Sequence, residues 1–326
     1  MAYLEVAKVH PKLGALLEKD AKFSTKVAEE FAAKHSVSVE DITSMRVDGT
    51  LLLAMHRYID TVIAFEDNKH IPNDVTFERV DAGGVESEWT YVPDANEKKV
   101  FFHLFGGGYI IGNLDSRRWS AYLYTRETKI RCLNVGYRLA PEHPYPAALE
   151  DSITAYKWLL TQNIDPKNVI ICGESAGGGL TMATLLKLRD LELPMPAAAV
   201  MQSPWVDLRR RGKSLKTFYK YEPELASLVN VITLLYAGSN NQGNPYVSPV
   251  YADLKDLPPL LIQAGGIEVI RDDAILLAER AKSSGVKVSL EIYEGMTHVF
   301  QNYADKLEES IDAWKSIAKF VEKYLD

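Results

Sequence analysis

Residues 168–188 read NVIICGESAGGGLTMATLLKL. The opening run, Asn168 to Cys172, is short, apolar and rich in β-branched side chains, as a strand buried on both faces should be. Residues 180–188 have the Leu, Met and Ala content of a helix. Between them Gly173-Glu174-Ser175-Ala176-Gly177 fits G-x-S-x-G. Taken alone the pattern is weak, since chance supplies it in roughly one chain of this length in nine. Its setting sharpens it. A serine on a tight strand-to-helix turn sits on strained backbone, and glycines two residues to either side relieve the crowding. Such a turn exposes the Ser175 hydroxyl at a helix N-terminus, where the dipole favours negative charge.

Outward from this turn, strand and helix alternate. Residues 75–80 and 86–92 alternate like antiparallel strands around a turn at 81–84. Apolar strand-like runs follow at 99–105, 130–135, 198–202, 259–264 and 286–293. Helical stretches lie at 147–160, 272–284 and 306–324. From residue 99 onward the order predicts a mostly parallel central sheet flanked by helices, an α/β fold. Residues 1 to about 66 read as helical and strand-free, with segments 11–20 and 25–35 the clearest. Residues 206–240 interrupt the alternation with helix-like sequence and read as an insertion. Together these helical parts predict a cap: an N-terminal cap segment at 1–50, a core at 51–205, a cap insertion at 206–240 and the rest of the core at 241–326.

Composition narrows the function classes. The chain has 326 residues, 47% apolar and 25% charged, enough to bury a large core without disulfides or metals. Cys132 and Cys172 each sit in an apolar run and read as small buried hydrophobes. The net charge of −7 disfavours nucleic acid, whose phosphates need a surplus of Lys and Arg. The basic cluster Arg209, Arg210, Arg211, Lys213 and Lys216 reads as solvated surface. Residues 1–17 carry Glu5, Lys8 and Lys12 without a continuous apolar stretch, so no secretory signal is read there. No run approaches the roughly 18 apolar residues of a membrane helix. A cytoplasmic protein without a membrane span is expected, and homo-oligomer formation is left open.

Acyl transfer requires N–H donors aimed at the developing oxyanion. Gly106-Gly107-Gly108 follows the strand at 99–105, and the expected donors are the N–H groups of Gly107, Gly108 and Ala176. A phosphate-binding reading fails, because no Gly-Lys-Ser/Thr follows and neither glycine cluster reads G-x-G-x-x-G. A base reaching Ser175 should lie on a loop past a late strand. Of the seven histidines, His298 fits, five residues beyond the strand ending at 293. His103, mid-strand, and His143, in a proline-rich stretch, read as packing or hydrogen-bonding residues. For the acid that orients His298 the loop after 259–264 offers Glu268, Asp272 and Asp273. Asp272 opens a helix and has a capping role available; Glu268 lies on the bend itself and is preferred.

These residues resemble the hormone-sensitive-lipase family of α/β hydrolases, the family IV carboxylesterases. The likeness rests on GGGYIIG at 106–112 with Asp115-Ser116, YRLAPEHPYPAALED at 137–151, GESAGG at 173–178, Ser203-Pro204-Trp205 and GMTHVF at 295–300. It implies an α/β-hydrolase fold with a helical cap and a Ser…acid…His triad. It also implies hydrolysis of small-molecule short- to medium-chain acyl esters with no metal or cofactor. Two departures stand out. Phe105 occupies the place of the family's loop-holding histidine, and Glu268 with Asp272 replaces its Asp-x-x-x-Asp. Amide hydrolysis or deacetylation on the same triad, with specificity set by cap residues such as Tyr219 and Tyr221, is the alternative chemistry. A non-catalytic hydrolase-like binding protein is the alternative of another class.

Overall fold

The computed structural model describes residues 9–43, 49–239 and 241–325. Residues 1–8, part of the stretch read as carrying no secretory signal, lie outside the described residues, as do 44–48 and 240 within the two expected cap segments. The strands are β1 Thr76–Asp81, β2 Glu86–Tyr91, β3 Asn96–Leu104, β4 Ile130–Val135, β5 Val169–Glu174, β6 Ala198–Gln202, β7 Leu260–Gly265 and β8 Val288–Tyr293. They form one sheet in the order β1-β2-β4-β3-β5-β6-β7-β8. Only β2 runs against the others: it pairs antiparallel with β1 and β4, and every other pairing is parallel.

The helices are α1 Pro11–Lys34, α2 Val39–Thr43, α3 Gly49–Asn68, α4 Arg118–Thr128, α5 Ala147–Thr161, α6 Ala176–Asp190, α7 Ser214–Thr217, α8 Pro223–Ala237, α9 Arg271–Ser283 and α10 Glu308–Tyr324. Strand side chains alternate between faces, and here both faces are apolar. Phe101, Cys132, Ile170, Cys172 and Val200 pack against Tyr124 of α4 and Trp314 of α10. Their neighbours Phe102, Leu133, Ile171 and Met201 turn the other way, onto Tyr156 of α5, Leu180 of α6 and Leu277 of α9. This two-sided burial is why the central strands read as continuous apolar runs. Cys132 and Cys172 are free and buried in the first of these layers, and burial pushes both thiols up.

Three local features differ from the sequence reading. The segments 11–20 and 25–35 are one helix, α1, because Ala21-Lys22-Phe23-Ser24 contains no breaker. No element is read at 118–128, where the structure has α4; it buries Ala121, Leu123 and Tyr124 on the sheet. Helix α3 runs past the expected boundary at residue 50 to Asn68, since 51–68 holds neither Gly nor Pro. The basic cluster is tied into a turn: the Asp207 carboxylate accepts from the N–H of Arg209 and Arg211, and both guanidiniums lie over the Tyr251 ring. Among the described residues, no helix is long and apolar enough to cross a membrane.

Candidate active site

One residue, Ser175, separates β5 from α6, and its backbone has φ 54° and ψ −122°. A non-glycine residue there costs on the order of 1–3 kcal/mol and persists only where its surroundings hold it. Here they do: the Ser175 N–H donates to Gln202 O at 2.9 Å, and the Ser175 carbonyl accepts from Gly179 N–H at 3.1 Å and Trp205 N–H at 2.9 Å. The turn presses against the end of β3. A Cβ on Gly177 would overlap the carbonyls of Leu104 and Phe105. Gly177 is therefore a requirement of close approach. Gly177→Ala should force the turn or the glycine loop to move, and kcat should fall by about tenfold or more. Steady-state kinetics of the folded variant would check this.

The loop after β8 carries His298 to this turn. Its Nε2 lies 2.9 Å from Ser175 Oγ. On the other side of the ring, Nδ1 faces Glu268 Oε2 at 3.7 Å, an ion-pair separation longer than a hydrogen bond. Glu268 is fully buried. Its Oε2 accepts from Ser203 Oγ at 2.6 Å and Gly265 N–H at 3.2 Å. Burial disfavours a charged imidazole at His298, but Glu268, backed by Glu222 and Glu174, outweighs it and holds the ring above the ordinary histidine value of 6.5.

The two aspartates lie elsewhere. Asp272 accepts from Ser214 N–H and pairs with Arg271. Asp273 accepts from the N–H groups of Val206 and Asp207, and burial pushes its carboxyl well up.

Beside the serine runs the glycine loop. Gly107 has φ +125°, and a Cβ on it would overlap the Ile111 carbonyl. Gly106 N–H is engaged by Glu174 Oε1 at 2.7 Å. No described residue accepts from the N–H of Gly107 or Gly108, and Ala176, first in α6, has no intrahelical acceptor. What holds the loop in place of the family's histidine is now visible. Glu174 Oε2 pairs with His103 Nε2 at 2.8 Å, and His103 Nδ1 meets Asn134 Oδ1. Burial would raise the Glu174 carboxyl, but His103, the Gly106 N–H and Arg117 keep it below the ordinary value. Arg117 donates to the Gly106 carbonyl and pairs with Asp60 of α3. The Tyr137 hydroxyl donates to the Phe105 carbonyl at 2.6 Å, and the two rings stack at 4.3 Å.

Comparison with known proteins settles the lineage. The profile of the family described as alpha/beta hydrolase fold matches residues 100–302. An esterase of Acinetobacter venetianus is 35% identical over 69% of this chain and 75% of its own length. An acetyl-hydrolase of Streptomyces hygroscopicus is 39% identical over 73% of the chain and 78% of its own. The crystal structure of an esterase from the bacterial hormone-sensitive lipase family superposes with a TM-score of 0.81 at 37% identity, covering 94% of this chain and 99% of that one. The chain belongs to the hormone-sensitive-lipase-like carboxylic ester hydrolases of the α/β-hydrolase family.

In this hydrolase Ser175 and His298 line a cavity of about 350 Å³ together with Gly106, Gly107 and Gly108. Ile63 and Ala64 of α3 and Leu225, Leu228, Val229 and Ile232 of α8 cover it with apolar side chains. Among the described residues, no three His, Cys, Asp or Glu side chains converge to hold a metal ion.

Three residues absent from the sequence-based site emerge beside it. Glu174, the second residue of the motif, anchors the glycine loop. Ser203 bridges two loops: its hydroxyl binds Glu268 and accepts from Val299 N–H at 3.0 Å. Glu222, just before α8, accepts from the main-chain N–H of His298 at 2.5 Å. The SPW block pointed toward Ser203; Glu222 carried no signal in the sequence.

Proposed function

We propose that this hydrolase cleaves short- to medium-chain acyl esters through an acyl-enzyme on Ser175. The observation that carries the reading is the 2.9 Å contact between His298 Nε2 and Ser175 Oγ, with the Glu268 carboxylate on the far side of the same ring. Ser175 Oγ attacks the ester carbonyl as His298 takes its proton, and the tetrahedral oxyanion meets the N–H groups of Gly107, Gly108 and Ala176. Collapse breaks the bond to the alcohol oxygen, which leaves with the proton from His298. Water, deprotonated by the same imidazole, then attacks the acyl-serine; the acid departs and Ser175 is restored. Glu268 orients the ring and stabilises its charged form.

In this reading the helical parts within 1–50 and 206–240, with the remainder of α3, act as the cap that shapes the acyl site. A 350 Å³ cavity is at the small end of ligand pockets, and the acetyl-hydrolase relative supports the short end of the range. With p-nitrophenyl esters from acetate to decanoate, kcat/KM should peak at six carbons or fewer and fall about tenfold or more by decanoate. A profile still climbing at decanoate would defeat the chain-length reading.

The pH profile offers a separate check. The base must be neutral to accept a proton, so kcat/KM falls as free-enzyme His298 protonates. Because its surroundings raise His298, the acidic limb should have its midpoint above 6.5. A midpoint at or below that value would contradict the electrostatic reading.

A further inference from the structure

Glu222 occupies the N-cap position of α8 yet makes no capping bond to its own helix. Its main chain starts the helix in the ordinary way, with Ala226 N–H donating to the Glu222 carbonyl. The side chain reaches away from the helix. Oε1 accepts from His298 N–H at 2.5 Å and Oε2 from Val269 N–H at 2.7 Å. Those two amides belong to different loops. His298 is on the loop after β8, and Val269 follows Glu268 on the loop after β7. A single carboxylate from the segment 206–240 thus binds both loops that carry the base and the acid. Bonds of this kind, ionised acceptor to N–H, are roughly twice as strong as neutral ones.

We propose that Glu222 is a positioning residue that locks the His298 and Glu268 loops in mutual register and adds negative charge beside the imidazole. This rests on the assignment of His298 as the base. The geometry explains an otherwise unfavourable choice. Two carboxylates are brought to one histidine, Glu222 at its main-chain N–H and Glu268 opposite its Nδ1, and burial together with Glu268 raises Glu222. The groups facing it are His298 from the β8 loop and Glu268 from the β7 loop. A neutral side chain would avoid that repulsion. A glutamine could not replace the clamp, because its oxygen would accept one N–H while its NH₂ confronted the other. An aspartate lacks the reach to span both loops.

Glu222→Ala and Glu222→Gln, measured beside wild type and Ser175→Ala, test this. Each should be assayed with p-nitrophenyl butyrate between pH 5 and 9. A fluorophosphonate titration counts active sites and a thermal melt reports stability. Per active site, kcat should fall about 10- to 100-fold in Glu222→Ala, with KM changed by less than about threefold. In both variants the acidic limb of kcat/KM should move down by about half a pH unit or more, since a negative charge beside the imidazole is gone. Should Glu222→Ala fail to fold, the limb and kcat of Glu222→Gln decide.

A residue serving only the fold would lower the melting temperature and the active fraction while leaving kcat per site and the limb unmoved; that result overturns the proposal. A fully active Ser175→Ala would remove the Ser175–His298 mechanism and the clamp with it. Wild-type-like Glu222 variants beside an inert Ser175→Ala remove the clamp alone.

Discussion

Purified Ser175→Ala should lose roughly 10⁴- to 10⁶-fold of kcat toward p-nitrophenyl acetate while melting close to wild type. The two halves of that expectation have different origins. The loss follows because, among the described residues, the hydroxyl is the group hydrogen-bonded to His298 Nε2, at 2.9 Å, so on the proposed mechanism no acyl-enzyme forms without it. What remains is the catalysis available from the glycine-loop donors and from binding, which water can use only slowly. The retained stability follows from how the turn is held. Gln202, Gly179 and Trp205 bond to the main chain of Ser175, not to its side chain. Alanine keeps the Cβ that the φ of 54° must already accommodate. Only one part-buried hydrogen bond disappears, worth about 1 kcal/mol. Retention of more than a tenth of wild-type turnover, in protein free of contaminating esterase, would sink the mechanism. A collapse of the melting temperature would show that the hydroxyl supports the turn.

The turn at 173–177 was legible in the amino-acid sequence because local rules set it: an apolar strand, a serine forced to positive φ, and glycines where two backbones touch. β4 and β6 match their expected bounds, 130–135 and 198–202, and the other strands are shifted by between one and three residues at an end. Helix α4 was hidden because Arg118 to Thr128 mixes aromatic, charged and hydroxyl side chains; its buried face is defined by what the sheet presents to it. The site divides in the same way. Ser175 and His298 stand at the ends of strands that a parallel sheet must bring to one edge. Glu222 and His298 are 76 positions apart, and a glutamate before a helix reads as solvated charge until the fold lays it on two loops. Glu174 gives another instance: its place inside the motif is obvious, but its grip on Gly106 depends on β3 lying beside β5.

Glu268→Ala should reduce kcat by roughly 10²- to 10⁴-fold, and Asp272→Ala by no more than about threefold. The difference rests on where each carboxylate is spent. Among the described residues, the buried Glu268 pairs with no Lys or Arg, and its Oε2 is aimed by Ser203 and Gly265 toward His298 Nδ1. Among the described residues, Nδ1 has no hydrogen-bond partner. The carboxylate it faces is Glu268, across 3.7 Å. Removing the carboxylate frees the ring to turn and withdraws the charge that favours imidazolium at the transition state. The acidic limb of kcat/KM should then move to lower pH, since the largest influence raising His298 is gone. Glu268→Asp is a finer probe. Shortening the side chain by one methylene draws the carboxylate back from a ring it already meets at long range, so activity should fall between wild type and alanine. Asp272 is instead engaged by Ser214 N–H and Arg271 at the start of α9. Its loss should appear as about 1 kcal/mol of stability, comparable to removing a helix-terminal contact, with turnover nearly intact. Asp273 differs from both: it is buried against the N–H groups of Val206 and Asp207, so its replacement should damage the fold before the chemistry. If Asp272→Ala proved the more crippled enzyme, the acid would have to be reassigned to Asp272, and the loop after β7 would have to rearrange to bring it to the histidine.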